Sequence, residues 1–244
     1  MTKLSTSKWT KYKLLKKSAQ LQTYLPETAC LKEAAFWRMI KSYQEVIIKP
    51  TGSYGGKGVI CIKEIAPSAY ELHDGAKKKN FQNPKELYSY IKKLTGKNFL
   101  VQERIPLATV KGRPFDLRVM VQRRPNSSWH VTGKLAKVAG AGFIVTNIRR
   151  SSGKVVSVDE AIKQSNMNNV PLNKILTQLD TVALRTAAQL HRYYPSIRTM
   201  GIDMGIDSRG HVKIIEVNFI PMLSLFLKLK DKSIFRLIRS FHKK

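Results

Sequence analysis

The sequence predicts an α+β fold built on antiparallel strands, and three observations carry that expectation. A glycine-rich loop joins two β-branched runs, Val46-Ile47-Ile48 and Val59-Ile60-Cys61-Ile62. Toward the other end, Met200 to Pro221 places apolar segments on either side of the turn-forming Asp207-Ser208-Arg209-Gly210, which is a hairpin pattern. Helical spacing of apolar residues marks Leu31 to Tyr43, Pro84 to Leu94 and Leu172 to Tyr194. At 244 residues the chain can bury a full core, as one compact domain or two closely packed lobes.

The first segment, MTKLSTSKWTKYKLLKK, is basic and lacks the apolar run of a signal peptide; no stretch is long enough to span a membrane. The glycine loop follows in VIIKPTGSYGGKGV. Gly52, Gly55, Gly56 and Gly58 let backbone N–H groups approach a ligand closely, and Lys49 and Lys57 add charge, so the loop suits phosphate oxygens. It matches neither better-known phosphate loop: Lys57 is followed by Gly58 rather than Ser or Thr, and GxGxxG is absent. A hairpin flap over a nucleotide is one reading; a flexible turn with solvated lysines is the other.

Asn98 to Pro106 reads as a strand ending at proline, with Gln102 and Glu103 placed to accept hydrogen bonds from an adenine amino group or a ribose hydroxyl. In RPFDLRVMVQRR, Asp116 and Arg118 precede an apolar strand. The Arg118 fork suits phosphate or carboxylate, or Asp116 forms a structural ion pair with a neighbouring arginine. Trp129 to Val138 is expected as a paired strand. Asn147, Arg149 and Arg150 then stand in a glycine- and serine-rich segment, either a site for a γ-phosphate or acidic substrate or a solvated basic loop. Ser157 and Glu160 form a capping-box pattern. With Ile206 facing His211, the hairpin would set Asp203 opposite Ile214, on one face with Glu216 and Asn218; such oxygen ligands suit a hard cation such as Mg²⁺. The C-terminal SIFRLIRSFHKK is amphipathic, and either docks on its own domain or lies on an anionic surface.

Forty-four Lys and Arg against sixteen Asp and Glu give a net charge of +28, which steers polyanions toward the chain. The basic residues are dispersed and form no helix-turn-helix, zinc-finger or RNA-recognition signature, which argues against nucleic acid as the main partner. Two cysteines give no disulfide framework, and a cytoplasmic location is expected.

Taken in order, VIIKPTGSYGGKG, VQERI, FDLRV, TNIRR, GIDMGID and IIEVNFIP, preceded by KWTKYKLL and YLPET, resemble the ATP-grasp superfamily and, within it, the YheC/YheD-type endospore coat-associated proteins. The resemblance implies two α+β lobes whose antiparallel sheets enclose a nucleotide, without most of the usual N-terminal α/β domain. Expected divisions are an N-terminal remnant or linker over 1–30, a smaller lobe with the flap over 31–105, and a larger lobe with the metal-binding hairpin and a basic C-terminal helix over 106–244. It implies ATP with Mg²⁺, or alternatively Mn²⁺, and a ligase joining a carboxylate to an amine or thiol through an acyl phosphate. Lys49, Gly55, Gly56, Lys57, Gly58, Gln102 and Glu103 would bind the nucleotide, with Lys8 or Lys11 as a further phosphate contact. Arg118, Asn147 and Arg150 would be catalytic, and Asp203, Glu216 and Asn218 would hold the metal. Implied partners are an acidic small-molecule, peptide or protein acceptor and a coat protein; a non-catalytic ATP-binding or scaffold role is the alternative.

Overall fold

The computed structural model describes residues 4–52, 57–143, 146, 148–167 and 170–241, the side chains of 149 and 150 excepted. Helices α1 (Lys8–Lys16) and α2 (Ala19–Gln22) lead into β1 (Thr28–Cys30) and α3 (Glu33–Tyr43). Strands β2 (Glu45–Pro50), β3 (Ile60–Ala66), β4 (Ala69–Asp74) and β5 (Lys77–Phe81) follow, then α4 (Pro84–Leu94) and β6 (Phe99–Glu103). The second half runs β7 (Thr109–Val110), β8 (Arg113–Gln122), β9 (His130–Val138), α5 (Ile148–Ser151), β10 (Lys154–Val156), α6 (Val158–Lys163), α7 (Leu172–His191), β11 (Thr199–Ile206) and β12 (Val212–Asn218). A 3₁₀ segment, Leu223–Lys228, and α8 (Ser233–Ser240) close it.

Local signals set several boundaries. The Ser7 hydroxyl accepts from the Thr10 N–H at 3.2 Å and opens α1. Asn83 accepts from the Lys85 N–H at 2.8 Å, with Pro84 at the first helical position of α4. Ser157 accepts from the Glu160 N–H at 3.1 Å, as the capping pattern predicts. Among the described residues the strands form two antiparallel sheets, ordered β1-β6-β2-β3-β4-β5 and β10-β9-β8-β11-β12, with β7 paired to β8. The smaller lobe buries Phe36, Met39 and Ile40 of α3 and Leu87 and Ile91 of α4 against Val46, Ile48, Ile62 and Val101.

Strand alternation gives the larger sheet two different faces. Phe115, Leu117, Val119 and Val121 of β8 and Met200, Ile202, Met204 and Ile206 of β11 point one way and pack on Ile175, Leu179, Val182 and Leu190 of α7. Leu14, Leu15, Leu21 and Leu25, from the segment expected as a remnant or linker, join that core. The same segment reaches the other lobe, where the Lys8 N–H donates to the Thr51 carbonyl at 3.0 Å and β1 pairs with β6.

The opposite face of the sheet is divided. Met120 and Leu135 are covered by Phe226, Leu229 and Ile238, so α8 docks on its own domain. Beyond them lie Asp116, Arg118, Lys137 and Asp203. The chain leaving β12 turns back at Pro221 across Gly201, where a Cβ would lie 2.5 Å from the Pro221 Cβ and 3.2 Å from the Arg118 Cδ. Only glycine permits that approach. Gly133 plays the same part under α8: a Cβ there would lie 2.8 Å from Ile234 Cγ2, 2.9 Å from Ile238 Cδ1 and 3.0 Å from Phe226 Cε1. Gly133→Leu is therefore expected to destabilise the fold by about 1–3 kcal/mol through overpacking. Denaturant unfolding checks this; an unchanged midpoint would show that α8 does not seat there.

Candidate functional site

The hairpin register differs from the one read from sequence. Asp207 closes the turn: its Oδ1 accepts from the Arg209 and His211 N–H groups, both at 2.9 Å, and its own N–H donates to the His211 carbonyl at 3.2 Å. That sets Ile206 opposite Val212 rather than His211. After Met204 and Ile214 the ladder shifts, so Asp203 faces Glu216 rather than Ile214, and Ile215 is the extra residue of a bulge. Asp203, Glu216 and Asn218 still share one face.

Asp203 also lies directly opposite Arg118 on β8. Arg118 donates Nε to Oδ1 and Nη2 to Oδ2 of Asp203, both at 2.8 Å; Lys137 donates to Oδ1 at 2.9 Å and Asn218 Nδ2 to Oδ2 at 3.1 Å. Those four bonds fill the acceptor capacity of a carboxylate. Lys137 reaches Asp116 Oδ1 as well, at 2.9 Å, and the Thr146 hydroxyl donates to Asp116 Oδ2. Asp116 thus pairs with a lysine, not with the neighbouring arginine that the sequence offered.

Burial and charge oppose each other in this row. Burial alone would raise the Asp203 carboxyl, but Arg118 and Lys137 outweigh it and hold Asp203 well below the usual carboxylate range. Burial pushes Asp116 up, and Lys137 only partly offsets it. Burial also acts to lower Arg118 and Lys137, yet the two aspartates keep both above their ordinary values.

A narrow open cleft faces Glu216 and is lined by residues of both lobes, including Lys8, Lys11, Lys49, Thr28 and Gln102. Lys49 donates to Gln102 Oε1 at 2.7 Å and to the carbonyl of Ile215, the bulge residue, at 3.3 Å. Gln102 in turn donates Nε2 to the Thr28 hydroxyl at 2.7 Å. Lys11 donates to the Val217 carbonyl, and Lys8 Nζ lies 3.6 Å from Glu216 Oε1. Burial lowers both Lys49 and Lys11 from 10.5 to about 8, with Glu216 partly countering it and Lys8 reinforcing it.

The structure therefore gathers Lys49, Gln102, Glu216 and the two upstream lysines on one cleft, with Asp203, Asn218 and Arg118 in the adjoining row. Glu103 stands at the end of β6, beside rather than among the residues lining the cleft, and its Oε2 accepts from the Glu27 N–H at 3.0 Å. Lys57 is exposed, and Gly58 takes a φ of +73° beside Pro50. Gly55, Gly56 and Asn147 lie outside the described residues, as does the side chain of Arg150. Sequence reading missed Lys137, Thr146 and Thr28. The signal for Lys137 was its parity with Asp116 once β8 and β9 pair, Asp116 standing opposite Lys137.

Two antiparallel sheets meeting at a lysine-lined cleft, with an Asp, a Glu and an Asn on the facing hairpin, define an ATP-grasp protein. The chain belongs to the YheC/D-like ATP-grasp family, whose model matches residues 2–241. It is similar to the endospore coat-associated protein YheD of Bacillus subtilis (strain 168), 25% identical over 90% of this chain and 49% of that protein. It is also similar to YheC of the same organism, 22% identical over 92% of this chain and 62% of that protein. The chain thus spans about half to three-fifths of the curated relatives it matches. Among solved structures, the ATP-grasp ligase PsnB with a precursor variant, Mg and ADP superposes with a TM-score of 0.56 at 16% identity, covering 96% of this chain and 57% of that one. The ADP complex of N5-carboxyaminoimidazole ribonucleotide synthetase gives 0.53 at 13% identity, covering 90% and 46%. At such identities these two show the fold alone.

The depressed lysines predict a pH dependence. A phosphate bound beside Lys49 and Lys11 would favour their charged forms and raise their pKa above about 8, so ATP binding there would take up protons when the free protein has lost them. Affinity should fall as pH rises above about 8, by up to about tenfold per pH unit for each lysine. Titrations across that window check the sign; affinity that rises with pH would refute it.

Proposed function

We propose that the protein is an ATP- and Mg²⁺-dependent ligase that joins a carboxylate to an amine or thiol. The observation that carries the reading is Glu216 of the hairpin facing Lys49, Lys11 and Lys8 across one cleft, with Asp203 and Asn218 beside it on the same strand face. Membership in an ATP-grasp family and structural likeness to ATP-grasp ligases support ATP-dependent ligation in general.

The residues fit a hard cation. Among the described residues no cluster of three His, Cys, Asp or Glu forms, and the available set is two carboxylates and an amide. Mg²⁺ asks no more of a protein when phosphates and water complete its shell. Glu216 and Asn218 would hold it, and Asp203 would join once one of its four donors withdraws. Bound there, the ion would neutralise charge on the phosphates. Lys49, with Lys11 or Lys8, would hold phosphate oxygens, Gln102 would contact the nucleotide, and Glu103 remains a candidate for its ribose. Lys57 and Gly58, with Gly55 and Gly56, would form the flap. Arg118, with Asn147 and Arg150, would orient the transferred phosphoryl group or the acceptor. Such catalysis rests on positioning and charge compensation and needs no covalent protein nucleophile. The excess of lysines at the cleft favours an acidic small-molecule, peptide or protein acceptor. The coat-associated relatives support a coat protein as partner and a role in sporulation.

Phosphate release from ATP, measured with candidate acidic acceptors, should require Mg²⁺ and fall on the order of 100-fold or more in Glu216→Gln, with the unfolding midpoint retained, and in Asp203→Asn, where the midpoint also falls because Arg118 and Lys137 lose their buried counter-charge. Undiminished turnover in both variants would remove the metal assignment. Nucleotide binding without turnover would favour the scaffold alternative.

A further inference from the structure

Four of the seven large apolar side chains exposed among the described residues, Ile220, Met222, Leu227 and Leu237, fall in the short C-terminal stretch after β12. That stretch is also strongly basic: from Leu223 to Phe241 it carries Lys228, Lys230, Lys232, Arg236 and Arg239 against a single acid, Asp231. Helix α8 uses Ile234 and Ile238, one turn apart, to pack over Gly133. Its other side turns Arg236 and Leu237 outward, with Leu237 48% exposed. Lys232 donates to the carbonyls of Leu227 and Leu229, the latter at 2.7 Å, which ties the 3₁₀ segment and its 46% exposed Leu227 to the start of α8. The result is aliphatic tips set among cations on a surface built from two joined elements.

We infer that this surface docks on an anionic phospholipid bilayer. Its chemistry separates that partner from the alternatives. Leucine tips gain free energy by entering the acyl boundary while Lys and Arg around them reach headgroup phosphates. A single-stranded nucleic acid would call for aromatic rings on which bases stack, and the exposed large apolar residues here are aliphatic. No helix among the described residues is long and apolar enough to cross a membrane, so the contact is a peripheral one.

The test is co-sedimentation of the full chain with vesicles of phosphatidylcholine alone or mixed with phosphatidylglycerol. Partition onto the anionic vesicles only is expected. An Arg236→Gln, Arg239→Gln variant should lose about 25-fold, at about fivefold per charge. Leu237→Ser, which leaves the charge unchanged, should lose about tenfold. Removing the same charge elsewhere, with Lys77→Gln and Lys79→Gln on exposed β5, should leave partition within about twofold. Unfolding midpoints of the variants separate lost docking from lost fold. Equal losses from the β5 and α8 variants would assign binding to overall charge and overturn the proposal. So would an unaffected Leu237→Ser, or capture of RNA or an acidic protein without vesicle partition.

Discussion

The arrangement of the larger lobe depends on one buried carboxylate. Asp203 lies in the middle of a sheet and accepts four hydrogen bonds, two from the Arg118 fork and one each from Lys137 and Asn218. Removing an ion from water costs several kcal/mol, and the cost is recovered only where geometry and hydrogen bonding are complete. Here two bases, Arg118 and Lys137, stand against two acids, Asp116 and Asp203, so the row is close to neutral within itself. The neighbouring cleft is not balanced in this way. Lys8, Lys11 and Lys49 face Glu216, and burial already strains two of the three lysines. A polyphosphate would supply the negative charge that this cleft lacks.

Backbone features place these groups. Strand alternation carries Asp116, Arg118, Asp203 and Glu216 to one face while their neighbours fill the core under α7. The bulge at Ile215 brings Glu216 opposite Asp203 and gives Lys49 a carbonyl to bond, so one irregularity links the hairpin to the other lobe. Gly201 leaves room for both the Arg118 side chain and the returning Pro221 segment. That segment and α8 cover Met120, Leu135 and their neighbours, and the polar residues at the other end of the same face are buried as well.

Much of this was legible in the sequence because it is local. The glycine loop between β-branched runs gave β2 and β3, the Asp207 to Gly210 turn gave the β11–β12 hairpin, and Ser157 marked a helix start. The exact register was not legible. A bulge has no sequence period, and the turn closure by Asp207 shifts pairing by one residue before Ile215 shifts it again. Lys137 and Thr146 escaped for a different reason: their partner Asp116 lies across a strand pairing or a loop, and only tertiary structure brings them together. Glu103, read as a nucleotide contact, is engaged by the Glu27 N–H, a contact across 76 residues of sequence.

If the lysine-lined cleft and the acidic hairpin form one nucleotide site, ATP and Mg²⁺ bind there together. Calorimetric titration of ATP with and without Mg²⁺, on the parent chain and on a Lys49→Ala, Glu216→Gln variant, tests it most directly. Binding that Mg²⁺ strengthens and that the variant loses is expected. No binding in the parent chain, or binding that neither Mg²⁺ nor the substitutions alter, would contradict it.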